Sequence, residues 1–218
     1  MNITTKKSIE EILSFIEEKE TKLAILGCGT CSTSCQTGGK EQVEELKTIL
    51  EQNNKQVVYT CVTDTLCDER LTRKDVKDIA KGTIEVHAIL SMGCGAGNSV
   101  LSDLVNIPVY PTNNSHFTGS VKRLGVYEEK CSQCGNCITY KTAGICPVTR
   151  CPKGLINGPC GGSYNGKCEV DSNRDCAWVL IYNKLKEQGK LHYMMEYNKP
   201  KSFRNVLKPQ KIEKGEKK

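Results

Sequence analysis

Eight of the fourteen cysteines fall within residues 131–176, and this crowding limits what that part of the chain can fold into. The stretch is interleaved with Gly and Pro and has only scattered large apolar side chains. It cannot bury enough apolar surface to fold on hydrophobicity alone, so bound metal is expected to supply much of its stability. Cysteines in such number serve either disulfides or metals, and the start of the chain bears on which. Residues 1–20 hold Lys6, Lys7 and the acidic, helix-like IEEILSFIEEKE, without the apolar core or small-residue cleavage site of a secretion signal. The expected location is cytoplasmic. Apolar runs such as Ala177–Tyr182 are far shorter than the roughly 20 residues of a membrane span, so no membrane insertion is expected. In a reducing compartment these cysteines read as metal or iron–sulfur ligands.

The formal net charge of +6 is not spread along the chain. Residues 199–218 hold eight Lys or Arg against Glu213 and Glu216, so this tail carries the whole excess and the body is neutral. No basic face for nucleic acid is implied, and 6% aromatic content argues against base stacking. A Lys-rich tail punctuated by Pro is expected to be solvated and disordered.

Between residues 22 and 110 the pattern is strand, loop, helix, repeated. Strands are expected at Lys22–Leu26, Gln56–Val62, Glu85–Leu90 and Ile107–Val109, the last an edge strand because of Pro108 and ended by Pro111. Helices are expected at Ser8–Ile16, Lys40–Leu50, Lys74–Ala80 and Asn98–Val105, the last capped by Asn98. The fold class is α/β: a small parallel sheet with flanking helices over residues 1–112, then a polar connector over 113–130. A cysteine-rich metal-stabilised module with a C-terminal helix (Trp178–Gln188, ended by Gly189) follows over 131–198, and the basic tail over 199–218.

Cys28, Cys31 and Cys35 follow the first strand in GCGTCSTSCQTGG. Cys61 and Cys67 lie at and just after the end of the second, and Cys94 follows the third in GCGAG. In a parallel sheet these loops share the carboxyl edge, where such folds bind ligands. Three closely spaced thiolates plus one from a neighbouring loop suit a four-iron cluster: Cys28, Cys31 and Cys35 with Cys94, Cys67 being the alternate. Cys61 reads equally well as a small buried side chain. A phosphate-cradling reading of these loops is poor, since Ser32 stands where G-x-G-x-x-G needs glycine and no acidic residue closes the second strand.

The second constellation is Cys131-x2-Cys134-x2-Cys137, then Cys146-Pro147, Cys151, Cys160, Cys168 and Cys176. The triplet is the ferredoxin-like run, whereas structural zinc more often uses two separated C-x2-C knuckles. The Cys-Pro follows after eight residues rather than three, which leaves open the triplet's fourth ligand. Eight thiolates suit two sites, so two or more [4Fe-4S] clusters are expected in the chain, with zinc the alternative at one C-terminal site. Arg150, Lys153 and Arg174 flank cysteines and either offset cluster charge or lie solvated. His87, His116, His192 and Trp178 read as structural or surface residues. Nothing resembles a Ser/His/Asp triad, a paired-carboxylate site or a P-loop.

The run CSQCGNCITYKTAGICPVTRCPKGLINGPCGG, with GKCEV and DCAWVLIYNKLK, resembles the MetV-type small subunit of bacterial methylenetetrahydrofolate reductases, as found in acetogens. GCGTCSTSCQTGG, LCDERL and SMGCGAG resemble that family's first domain. The resemblance implies a non-catalytic iron–sulfur electron-transfer subunit. Its partner would be a MetF-type flavin-containing catalytic subunit that reduces 5,10-methylenetetrahydrofolate to 5-methyltetrahydrofolate. It implies an electron donor such as ferredoxin or a nicotinamide-oxidising subunit, and first-domain cysteines Cys28, Cys31, Cys35, Cys67 and Cys94. The contrasting expectation is a zinc-binding structural or regulatory protein, or a redox sensor, with no electron relay.

Overall fold

The structure is a computed structural model in which residues 1–213 are described. It divides into two compact units, Met1–Glu128 and Glu129–Lys218. Lys214, Glu216, Lys217 and Lys218, part of the basic tail, lie outside the described residues.

The first unit opens with β1 (Asn2–Lys6) and α1 (Ile9–Phe15). Ser8 starts this helix by accepting a hydrogen bond from the Glu11 amide, which satisfies one of its orphan N–H groups. Then come β2 (Lys22–Cys28), α2 (Cys31–Ser34), α3 (Lys40–Gln52), β3 (Gln56–Thr63), α4 (Glu69–Asp75), α5 (Lys77–Ala80), β4 (Ala88–Ser91), α6 (Gly95–Leu104) and β5 (Val109–Pro111). The four strands β3-β2-β4-β5 form a parallel sheet with β5 at the edge, as the repeating pattern predicts. Leu23, Ile25 and Leu26 of the central strand are fully buried, each contributing about 1.5–3 kcal/mol by leaving water. Both faces of the sheet are packed. Ile25 and Leu90 meet Leu46 and Leu50 of α3 on one side, and Leu26 and Ile89 meet Leu66, Val76 and Leu101 on the other.

Chain order reverses direction between β2 and β4, which makes the gap between them a topological switch point. Crevices at such points, outside the carboxyl ends of the strands, are where open α/β sheets take ligands.

Several local expectations change. The helix expected at Lys74–Ala80 forms as two pieces, α4 and α5, that meet at Val76, and the third and fourth strands run over Ala88–Ser91 and Val109–Pro111 rather than Glu85–Leu90 and Ile107–Val109. The last helix of the sheet starts at Gly95 rather than Asn98, with Cys94 as its N-cap, because small Gly-Ala-Gly residues let the chain wind directly off the strand end. The edge strand ends at Pro111, as expected, with Pro111 itself paired to Ser91. An edge strand tolerates a residue that lacks an N–H. Residues 113–130, read from their polarity as a connector, form β6 (Asn113–Arg123) and most of β7 (Val126–Cys131). With the N-terminal β1 they make a second, antiparallel sheet in the order β1-β6-β7. Its residues are largely half-buried or exposed, so no apolar alternation marked it in the sequence.

The second unit has little regular structure: a 3-10 turn at Thr139–Lys141, α7 (Pro147–Arg150), α8 (Ala177–Glu187) and 3-10 turns at Leu191–Met195 and Phe203–Val206. Gly189, at φ 66°, ends α8. The core is small, built on Trp178, Ile181 and Leu185 with Ala143 and Cys176. Trp178 is a core residue, as read from the sequence, and its indole N–H donates to the Leu155 carbonyl at 3.0 Å. Among the described residues no helix is long and apolar enough to cross a membrane.

Candidate iron–sulfur sites

The first candidate site is built at the switch point. β2 ends in Cys28, and the chain turns into α2, which begins at Cys31 and ends on Cys35. The loop then returns so that the Cys28 amide donates to the Gly38 carbonyl at 2.9 Å. A Cβ on Gly38 would meet the Met92 carbonyl oxygen at 2.0 Å, so only glycine lets this loop close against the end of β4. Cys94 emerges there as the N-cap of a ten-residue helix.

Leu66 brings the fourth loop in. It is 1% exposed and wedged where a Cβ on Gly93 or Gly97 would stand, at 2.6 and 3.1 Å from its Cδ2. Those glycines flank the Cys94 turn, so Leu66 seats its neighbour Cys67 beside Cys94. The consequence is electrostatic: burial pushes the Cys67 thiol up, and the neighbouring sulfurs of Cys94, Cys28 and Cys31 push it further. Cys35 joins through Asn2 of β1, whose side-chain amide donates to the Cys94 sulfur at 3.4 Å while its carbonyl faces the Cys35 thiol at 3.8 Å. The structure thus brings Cys28, Cys31, Cys35, Cys67 and Cys94 to one edge.

Cys61 stands apart, two residues before the end of β3. Its neighbours are Tyr59, Asp75 and Thr63, and burial followed by the Asp75 charge raises its pKa. Tyr59, whose hydroxyl donates to the Asp75 carbonyl, is pushed up to about 12, by burial first.

The same edge gathers buried polar atoms without a protein partner: the hydroxyls of Ser32, Thr63 and Ser91 and the side-chain carbonyls of Asn98 and Asn113. Buried polar groups are normally satisfied, and unpaired hydroxyls beside thiols are donors available to a sulfur-rich group. Crowded thiols also resist losing their protons together unless a cationic centre compensates. The donor set therefore fits an iron–sulfur cluster.

The second candidate site lies within the second unit. Cys131, Cys134, Cys137 and Cys146 line one cavity of about 310 Å³, together with Val148 and Lys201. The CSQCGNC loop bends around it through left-handed backbone at Gln133 (φ 55°) and Gly135 (φ 73°). Donors two residues downstream face several sulfurs: the Gln133 amide on Cys131 at 3.3 Å, the Thr139 hydroxyl on Cys137 at 3.2 Å and the Gly162 amide on Cys160 at 3.4 Å. In the first unit Thr30 stands likewise to Cys28, at 3.3 Å. Hydrogen bonds to cluster sulfurs are a lever on cluster potential. The Cys137 thiol is held below its usual range by Thr139, and Cys160 by the Gly162 backbone with help from Lys153. Burial would push Cys134 up, but hydrogen bonding with the Asn136 backbone and Lys201 outweighs it and lowers its pKa.

Lys201 belongs to the tail expected to be solvated, yet it is half-buried and its ammonium donates to the Asn136 carbonyl. Tail polarity gave no hint of this contact. Cys151, Cys160, Cys168 and Cys176 are not among the residues that line this cavity. Cys176 caps α8 within the small core, and the Cys168 amide bonds the Arg174 carbonyl. All fourteen thiols are free, and among the described residues no three His, Cys, Asp or Glu gather closely enough to hold a single metal ion.

The remaining polar residues have structural roles. His87 accepts hydrogen bonds from the amides of Thr21 and Lys22, His116 bonds Thr5, and His192 lies against Tyr193. Lys153 pairs with Glu169 and Arg174 with Asp171.

Residues 110–204, just under half of the chain, match the family model described as methylene-tetrahydrofolate reductase C terminal. It is this stretch that is similar to the C-terminal part of the methylenetetrahydrofolate reductases. The matched stretch holds the cavity of Cys131, Cys134, Cys137 and Cys146, and the edge formed by Cys28 to Cys94 lies outside it. No curated protein and no solved structure matches the chain.

Proposed function

We propose that this chain is a MetV-type iron–sulfur electron-transfer subunit of a methylenetetrahydrofolate reductase. In this reading it works in the cytoplasm with a MetF-type flavin-containing subunit that reduces 5,10-methylenetetrahydrofolate to 5-methyltetrahydrofolate. The observation that carries the reading is the gathering of the ferredoxin-like triplet and Cys146 around one cavity inside the reductase-related stretch. Cys146 is the proposed fourth ligand there. At the sheet edge Cys28, Cys31 and Cys35 are the proposed ligands with Cys94, Cys67 being the alternate, and Cys151, Cys160, Cys168 and Cys176 are left for a further cluster or a zinc site.

When bound, clusters supply one-electron relay. The chain's own part is to hold thiolates in place with amide and hydroxyl donors, to shield the buried Cys28, Cys35 and Cys94 from water, and to set potential through nearby charge. The resemblance to the MetV-type subunit is why a flavin-carrying partner belongs to the proposal.

Anaerobically purified full-length chain should be brown and contain iron and acid-labile sulfide at more than one cluster per chain. Paired with a MetF-type subunit and a low-potential donor, it should support reduction of methylenetetrahydrofolate. A colourless chain with zinc and no sulfide overturns the relay reading.

A further inference from the structure

The neutral charge balance of the body hides a local segregation on α4 and α5. Arg70, Lys74, Lys77 and Lys81 follow one another at helical spacing, and Arg73 lies beside them. In the structure these five cations line one open groove of about 470 Å³, and no carboxylate lines it. Its apolar lining is Val76, Ala80 and Leu104. All five cations are exposed. Arg70 pairs with Asp68 and Arg73 with Glu69, at the N-terminal end of α4, whereas Lys74, Lys77 and Lys81 form no ion pair among the described residues. A neutral sum over the body therefore coexists with a local cluster of cations at this place.

The groove's position gives it meaning. α4 starts two residues after Cys67, and at a rise of about 1.5 Å per residue the lysines stand roughly 10–20 Å along the helices from the cysteine edge. The cations extend over about 16 Å, measured by the same rise from Arg70 to Lys81, longer than one phosphate group needs. No aromatic ring lines the groove to stack a base. A positive stripe with an apolar floor fits an acidic protein surface, and unpaired lysines at a rim act mainly on encounter rate.

We propose that the groove of Arg70, Arg73, Lys74, Lys77 and Lys81 is the docking surface for an acidic one-electron carrier protein that delivers electrons to the site at Cys67. This rests on the electron-relay reading above. In the step, the carrier's reduced centre loses one electron and is oxidised, the cluster of this chain gains it and is reduced, and no bond or proton changes hands.

The test compares full-length chain with the K74E/K77E/K81E variant and with K74R/K77R/K81R, using an acidic [4Fe-4S] ferredoxin as probe. Binding is followed by calorimetry at low and high salt, and cluster reduction by stopped flow. Charge reversal should weaken low-salt binding and slow reduction by the ferredoxin at least tenfold, and flatten its salt dependence. Reduction by dithionite should be unchanged, and the arginine variant should behave as wild type. Unchanged ferredoxin binding and rate in the reversal variant, or no low-salt binding to the wild type, overturns the proposal. Saturable ADP binding lost in the same variant overturns it in favour of a nucleotide site. If dithionite reduces no centre in the wild-type chain, the relay reading fails, and the binding arm still decides whether an acidic protein docks here.

Discussion

The ammonium of Lys201 donates to the carbonyl of Asn136, near the end of the CSQCGNC loop, and so places a fixed positive charge beside Cys134 and Cys137. A cation there stabilises whichever state of the site carries more negative charge, which for an iron–sulfur cluster is the reduced one. Lys201→Gln should therefore lower the midpoint potential of the cluster in this unit. A contact of about 1 kcal/mol corresponds to a shift on the order of 40 mV for a one-electron couple. A redox titration followed by electron paramagnetic resonance checks this, with Lys201→Arg expected to restore most of the shift.

Cysteine substitutions should sort by place rather than by number. Cys146 shares the cavity of the triplet, whereas Cys61 lies on β3 among Tyr59, Asp75 and Thr63. Cys146→Ser should cost iron and sulfide equal to one cluster per chain, and Cys61→Ser none. Metal and sulfide analysis of the two anaerobic variants reads the difference directly.

The part of this architecture that was legible in the sequence rests on periodicity. Lys22–Leu26 and Lys40–Leu50 carry the apolar patterns of a buried strand and an amphipathic helix, and both form, each extended by two residues. Spacing likewise foretold that the loops after β2 and β4 would share an edge. The antiparallel sheet was not legible, because Asn113–Arg123 is polar and held by backbone pairing to β1 rather than by an apolar face. Nor was the role of Leu66, since the single apolar residue that opens LCDERL has no period. Its meaning depends on Gly93 and Gly97, nearly thirty positions away. Lys201 and the Arg70–Lys81 groove escaped for a related reason: net charge sums over the chain, while docking and potential depend on where individual charges stand.

Leu66 should matter to both stability and site. It is almost fully buried among Val76, Leu101 and the glycines that flank the Cys94 turn. Leu66→Ala should destabilise the first unit by about 2–5 kcal/mol, the range for deleting a buried leucine side chain. Urea denaturation measures this. Because the cavity also frees the Cys67 loop, alkylation of Cys67 in metal-free protein should be faster in this variant than in a control truncated elsewhere in the core, such as Leu50→Ala.

Asp68 links the same loop to pH. It caps α4 by accepting from the Arg70 amide at 3.0 Å and pairs with the Arg70 guanidinium at 2.7 Å, and the Arg70 side chain holds its carboxyl down to about 2. Its pKa is lower in the folded state than the 3.8 of a free aspartate. The folded state thus binds the proton less readily than the unfolded one, and the contribution to stability is complete above the free value and lost as pH falls through about 2. Asp68→Asn keeps an oxygen for the cap and removes the charge. The variant should be less stable than wild type at pH 5 to 7, with the gap narrowing below pH 4 and closing near pH 2 in thermal melts of metal-free protein. A gap that stays constant across this range would assign the effect to the cap oxygen rather than to the ionised carboxylate.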